Sequence, residues 1–240
     1  MDILALKFWE PIFRVLKIDD GCPVKVVYGC PEGKTSIIYD DISKAKNVLV
    51  YGTTGSGKSI FLNVFVKCAS MFNTIEDVRL VLVDSKRVEF NQYKNSELLF
   101  CPIINNGDEL LVKINELINE CNKRKDLVKN SDFETFRKQK NQRLPYILLV
   151  IDEYADIASK ELNKALLELM KDGFKYGIHV ILSTQRVSEL IDEIDFFKSF
   201  KTIVCQTNYD EKVTQELIGD YVELNGSGDS LVLRNKELIR

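Results

Sequence analysis

An α/β fold with a mostly parallel central sheet and helices on both faces is what this sequence predicts, on three observations. Short apolar runs rich in β-branched residues alternate with amphipathic segments along most of the chain, the pattern of strands joined by crossover helices. The run Asn47 to Tyr51 leads directly into Gly52-Thr53-Thr54-Gly55-Ser56-Gly57-Lys58-Ser59, a glycine-rich turn set between a strand and a helix. The most apolar run of all, Tyr146 to Ile151, is followed at once by Asp152-Glu153.

Taken in order, Met1 to Ile18 places apolar residues around one or two short helical pieces interrupted at Pro11. It reads as an arm packed on the rest, because Lys7, Arg14 and Lys17 are few for an electrostatic membrane anchor. Residues 1–23 are therefore taken as this arm and 24–240 as one domain. Val24–Tyr28 and Ile37–Tyr39 are expected as short strands around the turn Gly29 to Gly33. After the glycine loop, Ile60, Phe61, Val64, Phe65, Cys68 and Met71 recur at helical spacing. Val78 to Val83 suits a buried parallel strand, and Leu110, Leu111, Ile114, Leu117, Ile118 and Cys121 mark a long helix ending at Lys123-Arg124-Lys125. Residues 129–144 read as a charged surface helix and loop anchored by Phe133 and Phe136. Helices near Lys160 to Lys171, Ser188 to Ile194 and Asp210 to Ile218 then alternate with strands at Ile178 to Ser183, Thr202 to Gln206 and Ser230 to Arg234.

Composition narrows the function. The chain of 240 residues is 45% hydrophobic, enough for a sizeable core. A net charge of -3 gives no general attraction to nucleic acid, so contact with DNA would need local patches such as Lys123 to Lys125 or Arg137 to Lys140. Six cysteines contain no C-x-x-C pair and meet only one histidine, His179, which disfavours zinc. Reduced cysteines in apolar runs and no signal peptide point to the cytosol, and no apolar run reaches membrane-spanning length. His179 itself, inside a strand, reads as a packed histidine without a catalytic role.

The chemistry lies in the glycine loop and the acidic pair. Gly52, Gly55 and Gly57, with Thr53, Thr54 and Ser56 between them, let successive N–H groups curl around a phosphate. Lys58 would set its ammonium on the β- and γ-phosphates of ATP, Ser59 its hydroxyl on Mg2+, and the helix beginning there its positive dipole end on the anion. Asp152 would hold the Mg2+, directly or through water, and Glu153 would orient or deprotonate the attacking water. The following strand ends Ser183-Thr184-Gln185-Arg186, which would set Gln185 between Lys58 and Glu153 as a sensor of the γ-phosphate.

These motifs in this order resemble the FtsK/SpoIIIE family of P-loop ATPases. The resemblance rests on the glycine loop with Asn63 after it, on Val83-Asp-Ser-Lys-Arg-Val-Glu-Phe90, on Leu144 to Asp156, on Gly177-Ile-His-Val-Ile-Leu-Ser-Thr-Gln-Arg186 and on Gly226-Ser-Gly-Asp-Ser-Leu231. It covers roughly Val24 to Arg234, the extent of a motor core, with Val187 where the family commonly has proline. It implies a RecA-like fold, a ring that is usually a hexamer, and ATP hydrolysis between subunits that drives double-stranded DNA through the pore. An arginine finger from the neighbouring subunit is then expected, with Arg124 the first candidate and Arg87 the second. The function expected is a DNA motor in plasmid or mobile-element transfer, replication or genome packaging, cytoplasmic or held at a membrane through a partner. The alternative is a protein-secretion motor resembling the ATPase modules of type VII secretion.

Overall fold

A computed structural model describes the chain apart from residues 1–9, 13, 16, 18–22, 32–33, 35, 130, 140–143, 186–193, 208–209 and 227, and apart from the side chains of 138 and 194. Its elements are β1 (Lys25–Gly29), β2 (Ile38–Asp41), α1 (Ile42–Ala45), β3 (Val48–Tyr51), α2 (Lys58–Met71), β4 (Val78–Asp84), α3 (Gly107–Leu127), α4 (Phe133–Lys138) and β5 (Tyr146–Asp152). Then follow α5 (Lys160–Asp172), β6 (Ile178–Thr184), α6 (Ile194–Lys198), β7 (Thr202–Gln206), α7 (Glu211–Ile218), β8 (Ser230–Arg234) and β9 (Glu237–Ile239). The helix expected near Ser188 to Ile194 falls mostly outside the described residues, as do Arg186, Val187 and most of the arm.

Alternation of side chains explains the layering. Along β5, Ile147, Leu149 and Ile151 face a core built with α3, α5, α6 and α7, while Tyr146, Leu148 and Val150 face one built with α1, α2 and Phe133 of α4. A strand buried on both faces has no polar side to show, hence the continuous apolar runs in the sequence. The sheet order is β4-β5-β6-β3-β7-β8-β9, parallel from β4 to β7 and antiparallel through β8 and β9. This is a RecA-like arrangement, and it puts β6 between the strand of the glycine loop and the strand of the acidic pair. The free edge of β4 is covered by an irregular segment whose Leu99 and Ile104 bridge to Leu80 and Val83.

As expected of two strands around one turn, β1 and β2 form an antiparallel pair, separate from the main sheet, and Ile12 of the arm packs there against Val27 and Cys68. One feature differs from the sequence-based expectation. A ninth strand, β9, forms a hairpin with β8. Among the described residues no helix is long and apolar enough to cross a membrane.

Candidate functional site

The site forms at the carboxyl ends of β3, β5 and β6, where each chain segment leaves the sheet. β3 passes into the glycine loop and α2 starts at Lys58, with Gly55 and Gly57 at φ 78° and 115°, a region costly for any side chain. A β-carbon at Gly52 would run into the Ser56 hydroxyl, so the loop's first turn also needs glycine. Its back is tied to two later segments. The Thr53 amide and hydroxyl both donate to the Thr207 carbonyl at 2.9 Å, Ser56 Oγ donates to Gln206 Oε1 at 3.2 Å, and the Gly228 amide donates to the Ser56 carbonyl at 3.0 Å. The late Gly226 to Asp229 motif thus buttresses the loop.

Lys58 is buried, and its ammonium donates to the loop's own carbonyls of Gly52 and Thr53 at 2.8 and 2.9 Å. Burial holds its pKa below the ordinary lysine value, against the pull of Glu153 and Asp152. Two strands away, Asp152 ends β5 and Glu153 begins the turn beyond it, both buried. Burial raises the pKa of each carboxyl; the Ser183 hydrogen bond to Asp152 and the Gln185 amide bond to Glu153 pull the other way. Lys86 lies over the same end of the sheet, paired with Asp156 at 3.2 Å, and its charge also lowers both acids.

The end of β6 joins the two halves. The Gln185 amide donates to Glu153 Oε1 at 3.1 Å, and Thr54 Oγ1 of the glycine loop donates to Gln185 Oε1 at 2.5 Å. Gln185 therefore sits between the loop and the acidic pair, where sheet order alone was expected to put it. Sequence reasoning passed over Ser183, whose hydroxyl contacts both acids' residues, and over Thr207 and Gln206. A hydroxyl at the end of an otherwise apolar strand was the available signal for Ser183.

Arg124, expected as the arginine finger, lies away from this site and is buried, which speaks against that role. Its guanidinium is 2% exposed and donates to the Pro145 and Tyr176 carbonyls at 2.8 and 3.0 Å and to Glu120 at 2.9 Å. Pro145 precedes β5 and Tyr176 precedes β6, so Arg124 fastens the amino ends of the strands, and its guanidinium is engaged inside its own fold. The basic patches shrink for the same reason. Lys123 and Lys125 are exposed, but Arg137 is turned in over the Tyr146 ring.

A glycine loop opening a helix on one strand, with an acidic pair two strands away on a mostly parallel sheet, defines a RecA-like P-loop ATPase. The sequence profile of the FtsK/SpoIIIE family matches residues 23–189, and the chain belongs to that family. One relative, the DNA translocase FtsK of Streptococcus pneumoniae (strain ATCC BAA-255 / R6), is 32% identical over 164 residues, 62% of this chain and 21% of that protein. The chain thus matches about a fifth of its relative's length. Among solved structures, the pCW3 conjugation coupling protein TcpA superposes with a TM-score of 0.78 at 20% identity, covering 94% of this chain and 66% of that one. EssC (ATPases 2 and 3) from Geobacillus thermodenitrificans gives 0.74 at 16% identity, covering 89% and 42%. At these identities the structural likeness is one of fold.

Proposed function

We propose that the chain is a Mg2+-dependent ATPase that works as a ring and moves double-stranded DNA. One observation carries the enzymatic half: β6 bridges the two parts that hydrolysis needs, with Gln185 touching Thr54 of the phosphate loop on one side and Glu153 on the other. The phosphates would replace the Gly52 and Thr53 carbonyls as partners of Lys58. A groove of about 460 Å³ lined by Val27, Tyr28, Ile37, Ile60, Phe61 and Val64 opens beside Gly57 and would take the nucleoside end. The Ser59 hydroxyl and the Asp152 carboxylate are hard oxygen donors that suit Mg2+, which when bound neutralises charge on the phosphates. Burial makes Glu153 a stronger base than a solvated glutamate, the property needed to take a proton from water.

The nucleotide lies at an open edge of a single subunit, so a cation from a neighbour would complete the site. With Arg124 buried, Arg87 is the better candidate. It is exposed just beyond β4, at the same end of the sheet as the acidic pair. The family and the relative named DNA translocase support DNA as the cargo, while the fold is equally that of the type VII secretion ATPase EccC of Thermomonospora curvata.

ATPase rates of the full chain, with and without long duplex DNA over a salt series, test the reading. Contacts to phosphates predict stimulation that is independent of sequence and fades steeply as salt rises. Lys58→Ala is expected to abolish nucleotide binding. A flat response to DNA, together with stimulation by an exported polypeptide, would overturn the DNA motor in favour of a secretion motor.

A further inference from the structure

Ser183 occupies a position that the proposed hydrolysis has not used. It is fully buried near the carboxyl end of β6, and its single hydroxyl is engaged in two directions. Oγ donates to Asp152 Oδ1 at 2.8 Å and accepts from the Glu153 amide at 3.1 Å. The Glu153 backbone is at φ 45°, the left-handed region that a non-glycine residue seldom adopts and that needs support from its surroundings. That conformation directs the chain away from the strand direction immediately after Asp152. The Glu153 carboxylate then meets the Gln185 amide, two residues beyond Ser183 on the same segment.

We infer that Ser183 is a positioning residue for hydrolysis: its hydroxyl fixes Asp152 and holds the left-handed Glu153 peptide, so that both carboxylates keep their places relative to the phosphate loop. The chemistry of a hydroxyl suits the task, since one oxygen both donates to a carboxylate and accepts from an amide. An alanine would leave the Glu153 amide buried without its partner and let Asp152 turn. Ser183 is closed to solvent and acts through the two acids. This inference rests on the ATPase reading of the same site.

The test uses the full chain, with ATP turnover and the affinity for a fluorescent ATP analogue with Mg2+ measured separately. Ser183→Ala is expected to lower kcat by about 10- to 100-fold, with affinity changed by no more than about threefold. Ser183→Cys, which keeps the volume and a weak donor and acceptor, should recover part of the rate and serves as the readout if the alanine variant unfolds. Adding Ser183→Ala to the residual rate of Glu153→Gln should cost less than the product of the two single losses, because part of the serine's effect runs through the Glu153 carboxylate already removed. A Ser183→Ala variant with wild-type kcat, or one whose loss multiplies with that of Glu153→Gln, overturns the inference. A wild-type chain that binds ATP without hydrolysing it overturns the ATPase reading instead.

Discussion

His179 should make the fold sensitive to acid, by an amount that its surroundings allow to be worked out. The ring is fully buried in β6, and Nδ1 lies 2.7 Å from the Lys46 carbonyl, which only accepts, so the neutral ring carries its proton on Nδ1. Nε2 is then a buried acceptor with no hydrogen-bond partner among the described residues. Protonating it would create a buried cation without an acceptor, near the Arg124 charge. Burial, with that charge, accordingly pushes the pKa down to about 4. The unfolded chain takes up the proton at about pH 6.5 and the folded chain near 4, so acid favours unfolding. The contribution is complete above the unfolded value and is lost as pH falls through the folded one. Between pH 7 and pH 5 the loss comes to about 2 kcal/mol. Urea unfolding at the two pH values, in wild type and His179→Leu, measures it. The variant forfeits the donor to Lys46, about 1 kcal/mol at either pH, but its stability should fall by about 2 kcal/mol less across the interval. Equal pH dependence in the two proteins would refute the reasoning.

Three further outcomes follow from particular contacts. Glu153→Gln should bind ATP and keep only a small residual turnover and, because burial raises the Glu153 pKa and so costs the ionised fold stability above the ordinary glutamate range, should raise the Tm at neutral pH by roughly 2–4 °C; an unchanged or lower Tm would count against that cost. Arg124→Ala should destabilise by about 3 kcal/mol in denaturant melts, since the Pro145 and Tyr176 carbonyls lose their donor, and a fully stable variant defective only in hydrolysis would restore the finger role. Gly177→Ala should cost about 2–4 kcal/mol, because Gly177 is at φ 75° and an added β-carbon would overlap the Phe133 ring; a loss below 1 kcal/mol would show that the ring moves freely.

The parts of the fold that were legible in the sequence are those governed by a single local rule. The strands β3 to β7 were visible because burial on both faces demands continuous apolar runs, and the phosphate loop because its dihedrals demand glycine at fixed spacing. Gln185 was placed through topology, from its position at the end of a strand lying between two others. β9 was missed for a physical reason. The turn joining it to β8 has Asn235 and Lys236 both at positive φ, 49° and 68°, the backbone of a tight two-residue hairpin, but lysine gives no sign of such a turn where glycine would. The strands β1 and β2 were legible as neighbours around one turn, but not their separation from the main sheet, because period-two patterning tells which face is buried and not which sheet a strand joins.

Arg124 shows where a local rule was available and a compositional one prevailed. Read as part of Lys123-Arg124-Lys125, it looks like an exposed basic cluster at the end of a helix. The helical period says otherwise. The buried positions of α3 are Leu110, Ile114, Leu117 and Cys121, at steps of four, three and four, and the next step of three lands on Arg124, with buried Val128 four further on. The residues on either side, Lys123 and Lys125, fall off the stripe and are exposed. A guanidinium on an apolar stripe must find acceptors inside the fold, and the free carbonyls at the amino ends of two parallel strands supply them. A reaction between subunits needs a cation that its own fold leaves unburied at the nucleotide end of the sheet. By that criterion α3 offers none at position 124, whereas the exposed turn after β4 carries Arg87.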